Sequence, residues 1–149
     1  MKTRTIIEDF TQEDLVDLLC TATYGSNWLG MQYDKTKGEG ETYEDVAADI
    51  LLKGGTVEMI DYYAEDNDDV YTDKGYWETD AAIYPITLED IKRGLEAVAN
   101  GTIKNDDSEK RVAKRGLDAL MDRDSSDLDY IYANYLMQAI MFNEIIYEP

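Results

Sequence analysis

"DYIYANYLMQAIMFNEIIY" (129–147) decides how this chain is built. With the residues just before it, it predicts a helix over residues 127–146. Leu128, Ile131, Tyr135, Leu136, Ala139, Ile140 and Phe142 cover most of its circumference. A helix that is apolar nearly all round has to be wrapped by other elements. This segment is therefore expected at the centre of the core, and the rest of the sequence must supply its neighbours.

Three of those neighbours announce themselves with the same four-residue signal. "TQED" (11–14), "TYED" (42–45) and "TLED" (87–90) each precede helical spacing. A Thr at the N-cap accepts from the backbone N–H three residues on, and the acid at that third position reaches back. The further acids suit the positive end of the helix dipole. The first such helix is expected over 12–23 with Leu15, Leu18, Leu19 and Ala22 inward, stopped by Gly25. The second is expected over 43–53 with Val46, Ile50 and Leu51 inward, ended by Gly54–Gly55. The third is expected over 88–99 with Ile91, Leu95 and Val98 inward and Gly101 as stop. A further helix over 108–122 buries Val112, Leu117 and Leu120. It carries the chain's basic cluster, Lys110, Arg111, Lys114 and Arg115.

Between the helices lie strand signals. "TVEMIDYY" (56–63) reads as a strand with Val57, Met59 and either Tyr62 or Tyr63 inward and Glu58 and Asp61 on a wet face. "GYWETDAAIYPI" (75–86) reads as its antiparallel partner, "YGSNWLGMQY" (24–33) as a loop or short strand, and "DKTKGEGE" (34–41) as a flexible exposed loop. The expectation is a single α+β domain over 1–149, with about five helices around a two- or three-stranded antiparallel sheet and the last helix central.

The 149 residues hold 33 Asp and Glu against 14 Lys and Arg, a formal charge of -19. That excludes direct binding to a phosphate backbone, which needs a basic patch. The chain has no His, which removes the usual neutral-pH base and the commonest zinc ligand. Cys20 is alone, in an apolar helical stretch, and reads as a structural thiol. No leader and no run of about 20 apolar residues stands out, so a cytoplasmic protein with no membrane contact is expected.

The charge peaks in "DYYAEDNDDVYTDKGYWETD" (61–80), with eight carboxylates, one Lys and five aromatic rings. An EF-hand loop begun at Asp66 fails, because Val70 and Tyr71 stand where an oxygen ligand and Gly are required. One begun at Asp122 fails at Asp127 and Ala133. No metal or cofactor is expected. Paired carboxylates could serve a hydrolase, but with this many acids the pairing has no specificity, and no catalytic motif is present. The remaining reading is a contact surface. Side chains on one strand face recur every ~6.6 Å, twice the rise per residue, close to twice the 3.4 Å charge spacing of a DNA strand. Asp61, Glu65, Asp66, Asp68, Asp69, Asp73, Glu78 and Asp80 are the candidate phosphate mimics, and Tyr71, Tyr76 and Trp77 the candidate anchors. The competing reading is an ordinary solvated acidic surface.

"LVDLLCTATYGSNW" (15–28), "ILLKGGTVEMIDYY" (50–63), "ITLEDIKRGLEAV" (86–98) and the 129–147 segment together resemble a loose group of small proteins of tailed phages and prophages. Members of that group are shorter between the strands, so the acidic stretch looks like an addition of this chain. The resemblance implies a phage protein. By context it implies an anti-CRISPR or anti-restriction inhibitor, acting in the host cell on a basic nucleic-acid-binding protein such as a CRISPR effector or restriction subunit. The alternative is a phage accessory protein acting through self-association, with the basic helix against an acidic face of another copy, or through an unrelated protein partner. A homodimer is compatible with either.

Overall fold

The computed structural model describes residues 11–24, 28–62, 83–121 and 129–147. Along these run α1 (Gln12–Tyr24), β1 (Leu29–Gln32), a short 3-10 turn (Lys35–Lys37), α2 (Tyr43–Leu52), β2 (Val57–Asp61), β3 (Ile83–Ile86), α3 (Leu88–Asn100), α4 (Asp107–Met121) and α5 (Tyr130–Phe142). The fold is mixed α+β and mostly helical, as expected. α5 packs against α1, α3 and α4 at once, which makes it the central helix.

All three Thr–Asp boxes form. Thr11, Thr42 and Thr87 each accept from the N–H of Asp14, Asp45 and Asp90, whose carboxylates accept from the Thr N–H in return. The two remaining helices use aspartates. Asp106 accepts from the N–H groups of Ser108 and Glu109, and Asp129 from that of Tyr132.

α5 is shorter than the expected 127–146. Asp129 caps its start, and Asn143 at φ 55 closes its end in the left-handed region. The chain then turns back as a tail, because hydrogen-bonding side chains elsewhere capture its backbone. Two glycines let α5 sit so deep. A Cβ on Gly94 of α3 would stand 2.6 Å from the Ile140 Cα, and one on Gly116 of α4 would stand 3.0 Å from the Tyr132 Cβ. The buried stripe of α4 runs through Ala113, Gly116, Leu117 and Leu120, so Val112, expected inward, is only half-buried. Val46 of α2, Ile131, Tyr135 and Phe142 are half-buried as well.

The sheet has the order β1-β2-β3, antiparallel throughout. Met31 pairs with Met59, and Met59 with Tyr84. One face, with Leu29, Val57, Met59 and Ile86, joins the helices in a continuous core that includes Leu15, Leu18, Leu95, Leu117, Leu136 and Met137. Each such fully buried aliphatic side chain is worth about 1.5–3 kcal/mol. The loop at 34–41 is exposed but anchored. Asp34 caps the 3-10 turn, and the Glu39 N–H donates to Asp49 Oδ2 at 2.8 Å.

Candidate functional site

Of the expected contact residues, Asp61 alone lies among the described residues, and its place corrects the sequence reading. Expected on the wet face, it is 2% exposed. Side chains two apart on a strand share a face, so Asp61 falls with Val57 and Met59, opposite Leu29 in the register. A buried carboxylate requires hydrogen bonds, and Tyr147 Oη donates to its Oδ2 at 2.8 Å. Asp61 is an anchor inside the molecule and not a surface carboxylate. Glu65, Asp66, Asp68, Asp69, Tyr71, Asp73, Tyr76, Trp77, Glu78 and Asp80 lie outside the described residues, as do positions 75–82 of the expected strand.

The roots of that stretch are well defined. β2 ends at Asp61 and β3 begins at Ile83, with Ile60 and Ile83 in register. Residues 62–82 therefore leave and re-enter the sheet on neighbouring strands. Beneath this end sits an aromatic cluster. The Trp28 ring lies 5.0 Å from Tyr147 and 6.0 Å from Phe142, and Phe142 meets Tyr84 edge to face at 5.1 Å. Burial, and secondarily the charge of Asp61, pushes the Tyr84 hydroxyl above its usual range.

The tail that delivers Tyr147 is held by two amide side chains. Asn105 Nδ2 donates to the Ile145 carbonyl at 2.9 Å, and its Oδ1 accepts from the Ile145 N–H at 2.7 Å. The buried Gln138 accepts from the N–H groups of Ile146 and Tyr147 and donates to the Tyr147 carbonyl and to Asn134 Oδ1. The sequence reading missed both clamps. Gln138 shows only as a polar residue on an otherwise apolar helix, and Asn105 as a polar residue in a connection whose partner stands 40 residues away.

Beside β1, on the side away from β2, stands a group of tyrosines. Tyr43 Oη donates to the Met31 carbonyl at 2.7 Å, Tyr33 Oη donates to the Tyr43 carbonyl at 2.9 Å, and the two rings lie 4.6 Å apart. Burial, then Tyr43 and Glu44, pushes the Tyr33 hydroxyl up to about 12. Tyr62 extends over Gly30 and is 38% exposed.

Burial, then the charges of Glu44 and Asp17, pushes the Cys20 thiol up, which suits a structural sulfur. Among the described residues no three His, Cys, Asp or Glu side chains are gathered to hold a metal ion, and no helix is long and apolar enough to cross a membrane. Two grooves flank α3. One of about 580 Å³ runs between Arg93, Glu96 and Asn100 of α3 and the end of α5, and one of about 370 Å³ lies between the end of α3 and the basic face of α4. No family model, no curated protein and no solved structure matches this chain.

Proposed function

We propose that the protein is a non-enzymatic inhibitor that covers the basic nucleic-acid-binding surface of another protein by presenting carboxylates in place of phosphates. The observation that carries this reading is the stretch 62–80, with seven carboxylates, one Lys and five rings, which connects two paired strands. The rooting supports it. A contact surface gains affinity when its ordering cost is met before binding, and Asp61, Tyr147, Trp28 and Phe142 fix the end from which the stretch departs. Glu65, Asp66, Asp68, Asp69, Asp73, Glu78 and Asp80 then carry the contact, Tyr71, Tyr76 and Trp77 anchor it, and Asp61 holds the root. The resemblance to phage proteins names the class of target, a host-defence nucleoprotein such as a CRISPR effector or a restriction subunit.

A pull-down from bacterial lysate tests this, with wild type beside a variant carrying Asp66, Asp68, Asp69 and Asp73 changed to Asn. Wild type is expected to capture a nucleic-acid-binding defence protein that the variant loses. Identical captures for both proteins, or none, would sink the reading.

A further inference from the structure

α4 displays cations that form no ion pair among the described residues. Arg111, Lys114 and Arg115 are exposed and Lys110 half-buried. Asp107 stands three and four residues before Lys110 and Arg111, and Asp118 four after Lys114, spacings that allow pairing along a helix. Yet among the described residues the ion pairs are Lys53–Asp49 and Arg93–Asp90, and none involves α4. Of the ten described cations only Lys53 and Arg93 are paired, so what sets α4 apart is density, with four unpaired cations between Lys110 and Arg115. Lys110, Arg111 and Lys114 line the groove of about 370 Å³, together with Asp107 and with Asn100 and Gly101 at the end of α3. Its lining holds three cations against one carboxylate.

A second helix pair carries the opposite excess. Glu13 and Asp17 are four residues apart on α1, the spacing at which like charges repel, and Glu44 stands on α2, which packs against α1. Burial, then Glu13 and Asp14, holds the Asp17 carboxyl above the ordinary range, with no cation offsetting them.

We propose that the α3–α4 groove is a self-association site that receives the α1–α2 carboxylate seam of a second copy of this chain. A two-fold pair uses the contact twice, once in each direction. The charge of -19 on each copy does not forbid it. At physiological salt the Debye length is about 8 Å, so the bulk of the two charge distributions is screened while groups in contact still attract. Nucleic acid is the poorer occupant, since a few cations on so acidic a chain do not make the basic footprint that phosphate binding needs. This inference does not rest on the inhibitor reading, because it uses other faces of the molecule.

Sedimentation of the full chain at physiological salt, from micromolar to near-millimolar concentration, tests it. Wild type is expected to dimerise. Arg111→Glu with Lys114→Glu, and separately Glu13→Lys with Glu44→Lys, are each expected to weaken the dimer by about tenfold or more, since each swap turns attraction into repulsion. Mixing the two variants is expected to restore a dimer, while circular dichroism checks that each is folded. A wild type that stays monomeric, a dimer that both variants retain, or a mixture that fails to pair overturns the proposal. So does a monomer that binds a labelled oligonucleotide through Arg111 and Lys114, which would assign the groove to phosphate.

Discussion

A single methyl group at Gly94 would have to enter the space 2.6 Å from the Ile140 Cα, against backbone that cannot swing aside. Overpacking of this kind costs about 1–3 kcal/mol, and Gly94→Ala is expected to lower the urea midpoint accordingly. Gly116→Ala, at 3.0 Å from the Tyr132 Cβ, should cost less. Gln138 makes the complementary case for polarity. Gln138→Leu keeps the volume but leaves the Ile146 and Tyr147 N–H groups and the Tyr147 carbonyl without their partner. At about 0.5–1.5 kcal/mol for each hydrogen bond lost from this partly exposed tail, the tail should detach before the core melts, so amide exchange at 145–147 is expected to accelerate while α1 stays protected. Neither effect was legible in the sequence. Gly94 was visible as a glycine in a helix and Gln138 as a polar residue in an apolar one, but what each meets lies on another element. Asp61 differs, because its face follows from counting in twos from Val57, and the buried position was there to be read.

Elements were the most legible level, because their signals are local. Each Thr–Asp box can be read within four residues, and all three form where the sequence places them. Thr87→Ala is expected to cost about 1 kcal/mol, measurable as a thermal shift. The end of α5 was not legible, since Asn105 from the α3–α4 connection and Gln138 from within α5 together hold residues 145–147 off the helical path. The edge of β1 gives a pH prediction. Tyr33 has its hydroxyl raised from 10.0 to about 12. The folded state therefore holds this proton more tightly than the unfolded chain. The resulting stability is complete below pH 10 and lost as pH rises toward about 12. Tyr43 and Tyr84 are raised too and act with the same sign. In Tyr33→Phe the loss of stability across that window should be shallower. At neutral pH the variant starts lower by about 0.5–1.5 kcal/mol, the worth of its hydrogen bond to the Tyr43 carbonyl. Near-ultraviolet phenolate absorbance alongside a stability titration separates the two effects. A titration with the same slope in both proteins would exclude Tyr33 as a contributor.

At the scale of the whole molecule, charge ties stability to the proposed function, and the two should answer salt in opposite directions. A net charge of -19 on one small chain makes the compact state repel itself. Between about 0.01 M and 0.1 M salt the Debye length falls from roughly 30 Å to 10 Å, so much of that repulsion is removed across the diameter of the protein. The attractive pairs that salt also weakens are few among the described residues, Lys53–Asp49 and Arg93–Asp90, and exposed pairs of this kind are worth about 0–1 kcal/mol each. Repulsion wins that comparison, and Tm is expected to rise with salt over this range. A complex between the acidic stretch and a basic partner is governed by attraction, so its affinity should fall over the same range. Measuring both in one salt series excludes a trivial explanation, because a protein that releases its partner while becoming more stable has not released it by unfolding. Capture that survives while Tm climbs would mean that charge does not drive the contact, and the acidic stretch would then be a solvated surface. The same series on the Asp66, Asp68, Asp69 and Asp73 to Asn variant should show a smaller rise in Tm, because four of the repelling charges have been removed.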